Sequence, residues 1–249
     1  MKKIDQQFIL NQYRSGIDSY TDFTTEVGLW AAEKYVIEQY LNPTDYLLDL
    51  GCGTGRTTFG LYELGFRNLQ AIDLTPEMIE SALSIQKQKG TNIAFALGDA
   101  TQLSAPDDEF DAVLFSFNGL MSIPGQANRD QALWEIKRVL KPNGIFLFTT
   151  HDRDKDPNYF EFWKAQQALW ETGQQDERLY QFGDIIAFSK NESSEIFIHI
   201  PDYSEIEQWL QANGFEVVES FYRIDRFDES KAVKEKSGEC RFWVARLSV

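Results

Sequence analysis

Between residues 44 and 150, short apolar runs alternate with amphipathic segments, and few folds accept that alternation. A strand that is apolar on both faces must be covered on both sides, which a parallel sheet achieves by returning through helices. Residues 46–50, 69–73, 93–97, 110–117 and 144–150 read as five such strands. Between them Thr75 caps a helix that has Pro76 in its first turn, turns Met78, Ile79, Ala82 and Leu83 to one face, and stops at Gly90. Leu133, Ile136, Val139 and Leu140 mark another helix, closed by the turn Lys141-Pro142-Asn143-Gly144. A capping box at Ser204-Glu205-Ile206-Glu207 opens a further helix that buries Ile206, Trp209 and Leu210 and ends at Asn213-Gly214. Residues 215–221 and 241–247 complete the pattern as a sixth and a seventh strand. The expected fold class is α/β, with a doubly wound sheet.

Two stretches break the alternation, and both are candidates for covering a site. In residues 1–41, Ile9, Tyr13, Ile17 and Tyr20 recur at near-helical spacing, and Val36, Ile37 and Tyr40 mark a second helix before Pro43. Residues 152–200 are rich in aromatic side chains and end in a hairpin, 185–189 with 196–200, joined by a polar turn. We read the 249 residues as one domain: a helical lid (1–43), a ligand-binding core (44–150), an inserted cap (151–200) and the C-terminal part of the core (201–249).

Composition narrows the partners. Against 24 Lys and Arg stand 39 Asp and Glu, a formal net charge of −15, which repels phosphate backbones and anionic lipid heads. We therefore expect no nucleic acid and no membrane partner. The longest uncharged stretch, 112–128, contains Asn118, Gly119, Pro124 and Gly125 and suits a buried strand with its loop. No apolar run of a secretory signal follows the first residues, so a cytoplasmic location is expected. Two cysteines, Cys52 and Cys240, make no disulfide framework, and with only His151 and His199 beside them no metal site is expected. The oligomeric state stays open.

The turn Asp49-Leu50-Gly51-Cys52-Gly53-Thr54-Gly55 follows the first strand and opens a helix, so its backbone can approach a ligand at which helix N–H groups point. The dinucleotide fingerprint would place its last small residue at position 56, which is Arg, and that disfavours a nicotinamide cofactor. Asp73, at the end of the second strand, suits the two hydroxyls of an unphosphorylated ribose, or merely serves the turn before Thr75-Pro76.

Taken in order, Asp49-x-Gly51-x-Gly53-x-Gly55, Asp73, Gly98-Asp99-Ala100, Phe110-Asp111-Ala112-Val113 and Arg138-Val139-Leu140-Lys141-Pro142-x-Gly144 resemble the class I S-adenosylmethionine-dependent methyltransferases. The resemblance implies a Rossmann-like sheet of seven strands in the order 3-2-1-4-5-7-6, the last antiparallel. S-adenosyl-L-methionine would lie across the C-terminal ends of strands one to four. It further implies that Asp49, Gly51, Cys52, Gly53 and Gly55 meet the cofactor, with the three glycines along its methionine part. Asp73 would hold the ribose; Gly98 and Asp99 lead to the adenine amino group, and the Ala100 N–H to a ring nitrogen. Phe115 and Ser116 would lie near the sulfonium. Leu74 and Met78 either pack on the adenine or serve as helix core, and Tyr20 and Tyr13 either close over the sulfonium or serve as core.

The reaction implied is in-line displacement of a methyl group by a small-molecule nucleophile, catalysed mainly by proximity and desolvation. His151 is the best-placed general base or else a loop histidine, and Asn118 orients substrate or caps a turn. Two alternatives stand beside it: transfer of another group from an adenosyl sulfonium, and a non-catalytic protein that binds the cofactor. Oxygen, nitrogen and carbon acceptors all stay open.

Overall fold

The structure is a computed structural model and describes residues 2–188 and 194–248. In chain order come α1 (Gln6–Ser15), α2 (Ile17–Glu26), α3 (Ala31–Tyr40), β1 (Leu47–Leu50), α4 (Arg56–Glu63), β2 (Leu69–Asp73), α5 (Pro76–Lys89), β3 (Ala94–Leu97) and β4 (Phe110–Phe115). A 3-10 turn at Gly119–Ser122 leads to α6 (Gln126–Val139), β5 (Leu140–Thr150), α7 (Phe160–Glu171), β6 (Asp184–Phe188), β7 (Glu195–His199) and α8 (Tyr203–Ala212). The chain closes with β8 (Phe215–Tyr222), α9 (Arg223–Arg226), α10 (Lys231–Lys236) and β9 (Arg241–Leu247).

Seven strands form one sheet in the order β3-β2-β1-β4-β5-β9-β8, and β6 and β7 pair apart from it as an antiparallel hairpin. With the hairpin set aside this is the expected 3-2-1-4-5-7-6 order. The first five strands run parallel, and β9 runs antiparallel to both β5 and β8. Because successive side chains of a strand point to opposite faces, Ala112 and Leu114 of β4 join one core while Val113 and Phe115 join the other. Trp30, Ile37, Phe59 and Leu61 cover the first face; Leu133, Ile136 and Leu210 cover the second. The central strands are buried on both sides, as their continuous apolar runs require, but the edge strand β3 is largely exposed, with Leu97 60% accessible, against the expectation for residues 93–97.

Several local expectations change. The periodic run from Ile9 to Tyr20 splits at Gly16 into α1 and α2, because a glycine weakens a helix and lets the chain turn. Leu83, 44% exposed, leaves the apolar face of α5. The N-cap of α8 is Asp202, whose carboxylate accepts the Glu205 N–H at 2.8 Å; Ser204 lies inside the helix and donates to that same carboxylate. A charged acceptor outside the helix outcompetes a hydroxyl within it. The insert contains α7, which its aromatic composition did not announce, and β6 and β7 begin one residue earlier than expected. Ser189 and the turn between the hairpin strands lie outside the described residues.

Buried polar contacts fasten the N-terminal helices to the sheet. Arg56, at the start of α4, donates to both oxygens of Glu33 on α3 at 2.6 and 2.5 Å and to the Gly28 carbonyl at 2.9 Å. Its guanidinium lies 4.9 Å from the Trp30 ring and 5.2 Å from the Phe23 ring. Glu229 caps α3 from the far end of the chain, accepting the N–H groups of Ala31 and Ala32 at 2.9 Å each. Asp49, at the end of β1, accepts the Thr58 hydroxyl at 2.5 Å, and burial pushes its pKa up to about 7 against the pull of Thr58 and Arg56.

Glu33→Ala leaves the buried Arg56 without its counter-ion, so a loss of about 3–5 kcal/mol is expected in urea unfolding. Asp49 binds a proton more tightly folded than unfolded, so its contribution is full below about pH 4 and is lost as pH rises through about 7. Relative to Asp49→Asn, the wild type therefore loses stability between about pH 5 and about pH 8, a trend that denaturation at the two pH values checks.

Candidate active site

A cavity of about 340 Å³ opens at the C-terminal ends of β1, β2 and β4, where an open parallel sheet leaves room between its crossover turns. Its floor is the turn after β1. Gly51 stands at φ 65°, and a Cβ there would meet the Phe115 ring at 2.6 Å, so only glycine lets the strand ends close up. Gly53, at φ 56°, would have nothing within 4 Å of an added Cβ; the space above it is open to a ligand.

The Asp73 carboxylate receives the Gly53 N–H on Oδ2 and the Thr75 N–H on Oδ1, each at 2.8 Å. Burial raises its pKa, while those two N–H bonds pull it back and fix its orientation. Farther along the rim Asp99 accepts the Thr101 N–H and hydroxyl on Oδ1 at 2.8 and 2.7 Å, and the Gln6 carboxamide on Oδ2 at 2.6 Å. Leu74, Met78 and Ala100 line an apolar ledge between the two carboxylates, and Met78 is buried as well. Met78 thus belongs to the helix core and also lines the cavity.

Aromatic side chains form the roof. Tyr13 from α1 and Tyr20 from α2 have ring centroids 5.9 Å apart, and Tyr20 meets Phe117 edge-on at 6.1 Å. The Tyr13 hydroxyl donates to Ser122 Oγ at 2.8 Å. Burial pushes the Tyr13 pKa up to about 12 and raises that of Tyr20 further, so both are neutral hydroxyls at neutral pH. Phe117 and Asn118 both adopt positive φ, 54° and 61°, which side-chain-bearing residues seldom do; the exit of β4 is held in a strained conformation beside the cavity.

Cys52, Gly98, Phe115 and Ser116 also line the cavity. Four of the residues singled out in the sequence, Asp49, Gly55, Asn118 and His151, lie off its wall. Asp49 stands behind the turn on Thr58, and Gly55 is pressed on Phe59 and Phe95, 2.7 and 3.1 Å from an added Cβ. His151 bonds the Glu239 carbonyl through Nδ1 at 2.7 Å, so the proton sits there and Nε2 accepts from the Asn118 amide at 3.2 Å. Burial lowers the His151 pKa. Both ring nitrogens are engaged, and the pair holds the strained exit of β4. Sequence reasoning missed Gln6, Thr24, Thr57, Ser122 and Asn128 on the wall, and took Arg56 only as a departure from another fingerprint. None of these follows from strand or helix periodicity; the tertiary fold delivers them. Among the described residues no group of three or more His, Cys, Asp or Glu could hold a metal ion, and no helix is long and apolar enough to cross a membrane.

Residues 41–214 match a family described as a methyltransferase domain. A demethylmenaquinone methyltransferase from Leptospira interrogans is 32% identical over 188 residues, which is 70% of this chain and 68% of that protein. A probable methyltransferase, ltbC, from Aspergillus luteorubrus is 32% identical over 143 residues, 54% of this chain, and the match spans only 50% of its length. Among solved structures, a methyltransferase from Methanosarcina mazei superposes with a TM-score of 0.70 at 20% identity, covering 90% of this chain and 100% of that one; this is a likeness of fold. Fold, ordered motifs and relatives agree, and the chain belongs to the class I S-adenosylmethionine-dependent methyltransferases.

Proposed function

We propose that this protein transfers a methyl group to a small, largely apolar acceptor whose nucleophile needs no deprotonation by the protein. The observation that carries this reading is the cavity wall itself. Its titratable groups among the described residues are Tyr13, Tyr20, Cys52, Arg56, Asp73 and Asp99. The two tyrosines and Cys52 have raised pKa values, Arg56 is paired with Glu33, Asp73 holds two backbone N–H groups, and Asp99 lies at the far rim. His151 is off the wall and fully bonded. No unengaged base faces the roofed end.

The donor set fits the cofactor. Gly51, Cys52 and Gly53 would line its methionine part, Asp73 would accept from its ribose, and Asp99 with the Ala100 N–H would read the adenine edge above Leu74 and Met78. When bound, S-adenosylmethionine supplies an electrophilic methyl group on a sulfonium. The chain's part is to orient and to dry the site: Tyr13, Tyr20 and Phe117 cluster over the cavity, where their π faces would suit a sulfonium charge, and they exclude water from the reacting centre. Holding acceptor and methyl in line supplies most of the rate enhancement. The roof of α1 and α2 over a cavity of this size supports a compact acceptor, and the net charge of −15 argues against a polyanion.

Asp73→Ala is expected to weaken S-adenosylhomocysteine binding by about tenfold or more in calorimetric titration, with the circular dichroism spectrum retained. With no protein base, the pH dependence of kcat follows the acceptor's own ionisation. Two acceptors of different pKa, found in a methyl-release screen of small metabolites, should therefore give two displaced profiles. One profile common to both acceptors would overturn this reading, and so would tight cofactor binding with no turnover on any of them.

A further inference from the structure

We propose that Gln6 is an internal competitor for the adenine-reading carboxylate: its carboxamide takes the Asp99 oxygen that the cofactor's own amino group would use. This rests on the assignment of Asp99 to the adenine amino group made above.

Three observations carry it. First, Asp99 has one oxygen already committed: Oδ1 takes the N–H and the hydroxyl of Thr101. Oδ2 is the oxygen left for an incoming amine, and the Gln6 carboxamide donates to it at 2.6 Å. A carboxamide –NH₂ and the exocyclic –NH₂ of adenine are the same kind of donor, a planar amine giving an N–H to an anionic acceptor. Second, Gln6 itself lines the cavity, so its side chain stands where the ligand enters and not on a remote surface.

Third, α1 and the residues just before it are fastened to the cap as well as to the core beneath. The Ile4 N–H donates to the Arg178 carbonyl at 3.1 Å, and the Tyr180 hydroxyl to the Ile4 carbonyl at 2.7 Å. The Phe197 N–H on β7 donates to the Gln12 side chain at 2.8 Å. Ile4 and Ile9 share a buried apolar cluster with Leu179 and Phe197. Toward the core, the polar contacts of α1 are Gln6 on Asp99, Arg14 on Glu77 at 2.5 Å and Tyr13 on Ser122. Gly16 then separates α1 from α2. Helix and hairpin thus form one cover, and Gln6 is the point at which that cover touches the adenine end of the site.

The consequence is a trade between closure and affinity. The Gln6 carboxamide stands on Oδ2 inside the cavity, so a ligand that brings the adenine amino group to that oxygen competes with Gln6 for the same space, and the return of Gln6 assists its departure. Gln6 lies on the exposed first turn of α1, where alanine suits the helix, so Gln6→Ala keeps the fold. Titration of S-adenosylhomocysteine into the full chain tests the idea. Gln6→Ala should bind about threefold to tenfold more tightly than wild type, the net worth of one hydrogen bond, with faster association. In the Asp99→Ala background the same substitution should change nothing. Unchanged or weaker binding by Gln6→Ala, alongside weakened binding by Asp99→Ala, overturns the competitor alone. Unchanged binding by Asp99→Ala overturns the adenine assignment on which it rests.

Discussion

The Asp73 carboxylate ties two crossover turns together, and the site depends on that tie. Its two oxygens take one N–H from the turn after β1 and one from the turn after β2, so neither loop can shift without breaking a bond to a buried anion. Both turns lead from a parallel strand into a helix, and a parallel sheet must make such turns at one edge. The carboxylate is therefore part of the scaffold and part of the ligand surface at once. Burial raises its pKa because more hydration is lost than the backbone N–H groups replace.

A second polar centre couples that scaffold to the cover. Arg56 begins the helix that follows the glycine turn, and its guanidinium is held by Glu33 and Gly28 and set against the rings of Trp30 and Phe23. An arginine buried there is tolerated only because its charge is met by a two-pronged carboxylate and by aromatic faces. The residue that made the turn unlike a dinucleotide fingerprint is thus the residue that seats the N-terminal helices. From those helices come Tyr20 and Phe23, and through Gly16 the helix that reaches the rim with Gln6.

The strained pair Phe117 and Asn118 belongs to the same logic. Backbone at positive φ persists where surrounding contacts over-determine it, and here the His151–Asn118 pair and the Asn118 N–H bond to Thr149 at 2.9 Å do so. His151 holds the exit of β4, and its two ring nitrogens are spent on that task. A histidine at a strand end reads as a base in one dimension; its role is decided by which partners reach its two nitrogens.

How much was legible in one dimension follows from the range of each interaction. Strand and helix periods, the left-handed glycine turn and Asp73 at a strand end are local, since each depends on residues within a few positions of one another. They determined the α/β class, the sheet order through the family resemblance, and much of the cavity floor. The cover was legible as two stretches outside the alternation, but its docking was not, because its helices and hairpin are positioned by contacts such as Gln12 with Phe197 and Glu229 with Ala31, which periodicity cannot register. Only the tertiary structure decided that His151 is engaged, that Arg56 is a clamp and that Gln6 rests on Asp99. Each of these is a pairing of polar groups from distant segments, which local sequence periods cannot register.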